Sequence, residues 1–112
     1  SNEPRVSQEI ERILGSKKVD LVLSDMAPNI SGVRVVDDSA SRELAEEALN
    51  TAFSYLAPGG CMVAKLFQGP EANSFLEEAK ECFLKTVLFK PVASRSESRE
   101  MFVVADGFKA GR

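Results

Sequence analysis

The sequence contains no histidine and only two cysteines, and these scarcities limit the chemistry available to the chain. Cys61 and Cys82 lack the CxxC spacing of a zinc or redox site, and no histidine can join them as a ligand. The composition also argues against a disulfide scaffold. We therefore expect no metal site, and two reduced cysteines in the core of a cytoplasmic protein.

Long hydrophobic runs are missing as well. The longest, residues 21–23 and 101–105, are far shorter than the roughly 18 residues that a membrane-spanning helix needs. The first residues lack the basic and then apolar pattern of a signal peptide. These absences predict a soluble protein that is neither exported nor bound in a membrane.

What the sequence does contain is typical of a small globular domain. Its 112 residues, 44% of them hydrophobic and 28% charged, suffice for one domain at most. The net charge of −3 argues against a general nucleic-acid coat protein. However, residues 1–84 carry 8 basic and 14 acidic side chains, whereas residues 85–112 carry 6 basic and 3 acidic ones. The C-terminal quarter could therefore meet a phosphate backbone.

Helix-like and strand-like segments alternate along the chain. Apolar residues at helical spacing predict three helices, and apolar runs predict four strands. The helices are expected over residues 4–14, 38–56 (capped by Asp38 or Ser39) and 70–83, and the strands over residues 19–24, 61–67, 86–89 and 100–105. Helical crossovers imply parallel strands, while the last two strands, joined without a helix, should be antiparallel.

This order of elements predicts an α/β fold, the second half of a doubly wound Rossmann-like sheet. A complete sheet of this kind has about six or seven strands, so the chain is expected to be part of a larger domain. Its first strand would then keep an unpaired edge despite its core-like sequence.

Two ionisable residues fall at the carboxyl ends of the predicted parallel strands, where open α/β sheets bind ligands. Asp25 directly follows the first strand, and Lys65 lies near the end of the second. One interpretation is a structural ion pair. The other is a catalytic pair, in which desolvation lowers the pKa of Lys65 towards neutrality and makes it a general base that the carboxylate orients.

Further charged residues surround the start of the final strand. Glu100 opens that strand and could either be solvated or, from an antiparallel strand beside that of Lys65, point at the same pocket. Lys90, Arg95 and Arg99 precede it in a polar connection. They suit either a solvated loop or phosphate contacts that position RNA.

Five segments together resemble the FtsJ-like (RrmJ-type) ribosomal RNA 2′-O-ribose methyltransferases. In order, and with fitting intervals, they are SDMAPN (24–29), LAPGG (56–60), VAKLFQG (63–69), KPVASRSESRE (90–100) and VVADG (103–107). The resemblance covers nearly the whole chain from residue 19. It implies S-adenosylmethionine-dependent 2′-O-methylation of a ribose in large-subunit ribosomal RNA, and its closest match implies that the ribose belongs to a uridine.

The resemblance also implies catalytic roles for three residues of the family's lysine, aspartate, lysine, glutamate tetrad. Asp25 matches the aspartate, which in the family also borders the methionine part of the cofactor. Lys65 matches the second lysine, which takes the proton of the 2′-hydroxyl during in-line displacement. Glu100 matches the glutamate.

Other roles follow the resemblance less closely. Met26 and Pro28 would line the cofactor site beside Asp25. Asp37 resembles an acidic residue of the substrate-side loop, although a helix-flanking role fits it equally. Where the family often has tyrosine after the glutamate, this chain has Met101 and Phe102.

Several family features are not found in the sequence. These are the first tetrad lysine, the glycine-rich cofactor loop and the acidic residues that hold the adenosine. We therefore expect a single partial methyltransferase domain over residues 1–112, which carries the catalytic half. The alternative is an inactive half-domain that pairs its first strand with a partner or a second copy, or binds RNA. Its RNA contacts would come from Lys90, Arg95, Arg99, Lys109 and Arg112.

Overall fold

A four-stranded sheet with two helices packed on one face organises the chain. The structure, a computed structural model, describes residues 3–91 and 99–110. The elements in chain order are α1 (Glu3–Leu14), β1 (Val19–Ser24), α2 (Arg34–Tyr55), β2 (Leu56–Phe67), α3 (Pro70–Lys80), β3 (Phe83–Phe89) and β4 (Glu100–Phe108). This order confirms the predicted alternation of helices and strands.

The strands lie side by side in the order β1, β2, β4, β3. β1 and β2 are parallel because the helix α2 connects them, whereas β4 runs antiparallel to both of its neighbours, β2 and β3. The predicted α/β class, the parallel first pair and the antiparallel last strand are confirmed. Within the described part of the chain β1 has a single neighbour, so it is the predicted edge strand.

The hydrophobic core lies between the sheet and the two helices α2 and α3. Leu49 of α2, Phe75 of α3, Met62 of β2 and Val103 of β4 are all completely buried there. From β1, Val22 is buried in this core and Val19 packs against it, whereas Leu21 and Leu23 are exposed. The core therefore forms beneath the central strands; Leu66 and Phe67 at the end of β2 are also buried, whereas Asp25, just beyond β1, is exposed.

The predicted starts of the second helix and of the second strand are wrong, whereas the helix ends within one residue of the predicted position. α2 begins at Arg34 instead of residue 38, so the expected cap at Asp38 lies inside the helix. β2 begins at Leu56 instead of residue 61, so residues 57–60 belong to this strand and do not form a separate break between helix and strand. The pairing of β1 with β2 shifts there, and Gly59 accommodates the irregularity with a φ of 84°.

The third helix is shorter than predicted. α3 ends at Lys80, and Phe83 begins β3 instead of closing the helix, although it is buried as expected. Cys82, between the two elements, is buried and Cys61 is half-buried; the two cysteines are not joined in a disulfide, in agreement with the prediction that both are reduced. No helix in residues 3–91 or 99–110 is long and apolar enough to cross a membrane.

Candidate active site

Three charged side chains meet at the ends of β1 and β2. Nζ of Lys65 lies 2.9 Å from Oδ1 of Asp25 and 3.6 Å from Oε1 of Glu100. The lysine side chain is only 15% exposed, whereas those of the two carboxylates are 66% and 43% exposed. The expected proximity of Asp25 and Lys65 is therefore confirmed, and of the two alternatives for Glu100 the structure shows the one in which it points at the same site.

The sheet itself positions the three side chains. Asp25 is the first residue beyond β1, and the parallel register with β2 brings it level with Lys65. In β4, Glu100 pairs with Phe67, which lies two residues beyond Lys65 and therefore points to the same face of the sheet. Each carboxylate thus approaches Lys65 from a different neighbouring strand.

The pKa of Lys65 is raised, as in an ion pair, and not lowered as the catalytic interpretation expects. The hydrogen bond from its ammonium to Asp25 has the largest influence and outweighs the effect of burial, which lowers the pKa. The negative charge of Glu100 adds to the increase. Lys65 is therefore a stable cation in this arrangement, and it can accept a proton only after its surroundings change.

The two carboxylates line different cavities. Asp25 and Met26 line one of about 230 Å³ between the end of β1 and α2. Glu100 lines another of about 450 Å³, which is bounded by the loop after β1 and the starts of α2 and β4. Pro28 lines this larger cavity, so the structure separates Met26 and Pro28, which the sequence assigns to one site. Lys65 contacts one residue in the wall of each cavity, Asp25 in the smaller and Glu100 in the larger.

Asp37 is buried and organises the loop between β1 and α2. Its carboxylate accepts hydrogen bonds from the backbone N–H of Ser31 at 2.9 Å, the hydroxyl of Ser31 at 2.7 Å and the N–H of Gly32 at 3.2 Å. The N–H and hydroxyl of Ser31 are the main reasons why the pKa of Asp37 is lowered. The carboxylate is thus engaged within the protein, while Asp37 also lines the larger cavity beside Glu100, and its role as an RNA contact stays a prediction.

Replacing Asp37 with asparagine is expected to destabilise the chain most at neutral pH. Because the folded-state pKa of Asp37 lies below its ordinary value of 3.8, the ionised carboxylate stabilises the fold above that value. This stabilisation is lost as the pH falls through the lowered pKa. The difference in unfolding free energy between the wild type and the variant should therefore be smaller at pH 3 than at pH 7.

Urea unfolding at these two pH values measures that difference. Asp20→Asn, which changes an exposed carboxylate of β1, serves as the matched control. A difference for Asp37→Asn that is equally large at both pH values would contradict the role of the ionised carboxylate.

A second ion pair lies beside the site. Nη1 of Arg99 donates a hydrogen bond of 2.7 Å to Oδ1 of Asp38, and the Arg99 guanidinium lies 4.9 Å from the centroid of the Phe67 ring. The two charged side chains are 24% and 11% exposed. Arg99, interpreted from the sequence as a phosphate contact, is thus engaged with a carboxylate of the protein itself.

Sequence reasoning missed Asp38, Ser41 and Arg34 as residues of the site. The hydroxyl of Ser41 accepts a 3.0 Å hydrogen bond from the N–H of Phe67, which attaches α2 to the end of β2. Arg34 is exposed and lines the larger cavity. Asp38 and Ser41 extend the buried stripe that continues at Ala45, at helical intervals of three and four residues. Extending that stripe towards the start of the helix would have identified both.

The basic residues predicted to bind RNA are not all at this edge of the sheet. Lys90 follows β3 and is exposed near the start of β4, on the side of Glu100. Lys109 follows β4, which runs the other way, and therefore lies at the opposite edge. Arg95 and Arg112 lie outside the described residues. Of this set, the structure brings Lys90 and Arg99 towards the candidate site and separates Lys109 from it.

Comparison with known proteins agrees with this geometry. The family model of FtsJ-like methyltransferases matches residues 2–108. A ribosomal RNA large subunit methyltransferase E from Stutzerimonas stutzeri is 46% identical over 107 residues, which cover 96% of this chain and 52% of that protein. Its counterpart from Marinobacter nauticus is 45% identical, with the same coverage of 96% and 52%. The chain thus spans about half the length of the curated relatives it matches.

A solved structure adds support from the fold. A crystal structure described as a ribosomal RNA methyltransferase from Plasmodium falciparum matches with a TM-score of 0.85 and 28% identity, over 99% of this chain and 58% of that one. The resemblance inferred from the sequence motifs is therefore confirmed by the family model, by relatives and by the fold. The chain belongs to the FtsJ-like methyltransferase family.

Proposed function

We propose that the chain is the catalytic half of a methyltransferase domain that methylates a ribose 2′-hydroxyl in large-subunit ribosomal RNA. The observation that carries this proposal is the position of Lys65 between Asp25 and Glu100. The names of the relatives from Stutzerimonas and Marinobacter support the class of substrate. The resemblance of the motifs supports uridine as the target nucleoside, and two cysteines that form no disulfide are consistent with the cytoplasm.

In this proposal, Lys65 accepts the proton of the ribose 2′-hydroxyl. A ribose hydroxyl is a weak nucleophile, so it must lose its proton as its oxygen attacks. Glu100 orients the Lys65 amine from the side of the larger cavity, and Asp25 does so from the other side. A positive charge placed beside Asp25 would compete for its carboxylate and lower the pKa of Lys65, which is the change that prepares the amine to accept a proton.

The residues at the end of β1 fit part of an S-adenosylmethionine molecule. When bound, this cofactor supplies the methyl group on a positively charged sulfur. The exposed carboxylate of Asp25 suits a positive charge, and Met26, which is 61% exposed, suits apolar parts of the ligand. However, the cavity of about 230 Å³ is smaller than the roughly 300–1,000 Å³ of typical ligand sites. We therefore assign the remaining contacts to the half of the relatives that this chain does not match.

The larger cavity, beside Glu100, is the proposed place of the target nucleotide. Its volume of about 450 Å³ falls in the usual range for ligand sites. Arg34 at its rim and Lys90 near the start of β4 can contact phosphates without reading the base sequence. Arg95 keeps its proposed role as a phosphate contact, although it lies outside the described residues.

A chimaera tests the proposed function. In it, this chain replaces the matched half of the Stutzerimonas stutzeri relative, and methyl transfer from labelled S-adenosylmethionine to large-subunit ribosomal RNA is measured. The expected result is methylation of one ribose, detected as resistance of the neighbouring phosphodiester to alkaline cleavage. A folded chimaera that binds RNA without transferring a methyl group would favour the inactive half-domain instead.

Self-association through β1 is a further part of the proposal. β1 is an edge strand, and two of its side chains, Leu21 and Leu23, are 53% and 62% exposed. Such an edge can pair with the same strand of a second copy. Size-exclusion chromatography with light scattering over a dilution series should reveal a dimer, and a monomer at every concentration would contradict it.

A further inference from the structure

The start of β4 is held in place by Arg99. Its Nη1 donates to Oδ1 of Asp38 at 2.7 Å and to the carbonyl of Gln68 at 3.3 Å, while its guanidinium lies 4.9 Å from the centroid of the Phe67 ring. In addition, the N–H of Gln68 donates to the carbonyl of Arg99 at 2.7 Å. One arginine therefore joins α2, the end of β2 and the start of β4.

The position of Asp38 is itself restricted. Gly69 has a φ of 147°, and a Cβ at this residue would lie only 3.2 Å from Oδ2 of Asp38, so glycine leaves room for the carboxylate. Asp38 is buried. Because an unpaired charge at such a position is costly, the pairing with Arg99 stabilises both residues where they are.

We propose that Arg99, anchored by Asp38, is a positioning residue that fixes the first residue of β4 and so keeps the Glu100 carboxylate beside Lys65. Glu100 is the next residue in the chain, and it pairs in the sheet with Phe67, whose ring lies next to the Arg99 guanidinium. A displacement of the Arg99 main chain would therefore lengthen the 3.6 Å contact between Glu100 and Lys65. The catalytic meaning of this inference rests on the proposed function.

A direct phosphate contact is the competing role for Arg99. Arg99 does line the larger cavity proposed for the target nucleotide, but its side chain is only 24% exposed and its Nη1 is used within the protein. The two roles also differ in their consequences. A phosphate contact acts only when RNA is bound, whereas a positioning role affects the surroundings of Lys65 in the free protein.

NMR titration of the Lys65 amine in the 112-residue chain tests the positioning role without cofactor or RNA. Lys65→Arg identifies the signal, and Arg99→Met removes the charge while keeping an unbranched stem beside Phe67. If Arg99 holds Glu100 in place, Arg99→Met lowers the pKa of Lys65, because part of the attraction by Glu100 is lost. The loss of a nearby positive charge alone would raise this pKa, so the sign of the shift separates the two effects.

A double-mutant cycle with Glu100→Gln makes the test specific. Arg99→Met should lower the pKa of Lys65 when Glu100 is present and should not lower it when residue 100 is glutamine. Arg99→Lys can still pair with Asp38, so the pKa of Lys65 in this variant should lie closer to the wild-type value than in Arg99→Met. If Arg99→Met prevents folding by circular dichroism, Asp38→Asn is tested in the same two backgrounds. A pKa of Lys65 that does not fall, or that falls equally in both backgrounds, overturns the proposal.

Activity of the chimaera is scored separately. Arg99→Met should reduce kcat and leave the salt dependence of RNA binding unchanged, whereas a lost phosphate contact would reduce the slope of log K against log salt by about 1. A Glu100-dependent shift in the chain together with an inactive chimaera would support the positioning role and refute the proposed function. An active chimaera without the shift would support the proposed function and refute the positioning role.

Discussion

Replacing Lys65 with methionine is expected to reduce methyl transfer by the chimaera about a hundredfold to ten-thousandfold, the range that a general acid or base contributes. Methionine has a similar length but neither holds nor accepts a proton. Because Lys65 is shielded and contacts Asp25 and Glu100, the loss should appear in kcat and not in RNA affinity. Single-turnover transfer from labelled S-adenosylmethionine measures the rate.

Lys80→Met is the matched control for this experiment. Lys80 lies in α3, is 51% exposed and pairs with Glu77 on the helix surface at 3.0 Å, so its loss should change neither the rate nor the stability appreciably. Equal turnover by the wild type and a folded Lys65→Met chimaera would refute the proton-accepting role. A fall in RNA affinity alone would indicate that Lys65 binds substrate instead.

The pairing of strands could be predicted because it depends on connectivity. β1 is found over the predicted residues 19–24, and the crossover through α2 makes its pairing with β2 parallel. The start of α2 could not be predicted in this way. It depends on the carboxylate of Asp37, which accepts hydrogen bonds from Ser31 and Gly32 in the preceding loop. Such a contact between a helix and a loop leaves no periodic signal in the sequence.

The members of the site could also be predicted, but not their electrostatics. Asp25 and Lys65 had to meet, since the carboxyl ends of neighbouring parallel strands lie at one edge of a sheet. Whether burial or hydrogen bonding controls the pKa of Lys65 depends on a distance of 2.9 Å, which only the structure provides. The contacts of Arg99 could not be predicted either, because its position in the sequence suits a phosphate contact, whereas its partner, Asp38, lies far away in the chain.

The largest expected loss of stability follows from Phe75→Ala in α3. Phe75 is completely buried, and the guanidinium of Arg42 lies 5.6 Å from the centroid of its ring. Truncation to alanine leaves a cavity and should cost about 3–5 kcal/mol, a large part of the roughly 5–15 kcal/mol that stabilises a typical domain. Urea unfolding of the chain measures this loss. Phe89→Ala, at a position in β3 that is 51% exposed, should cost much less.

Phe75→Ala should nevertheless leave the surroundings of Lys65 unchanged wherever the variant is still folded. α3 packs chiefly against β3 and α2, whereas β1, β2 and β4 hold the three charged residues. The pKa of Lys65 in the folded variant should therefore equal that of the wild type, in contrast to the shift expected for Arg99→Met. An altered pKa in Phe75→Ala would mean that the core transmits strain to the ends of β2 and β4, and that the site depends on the packing of α3 as well as on the sheet.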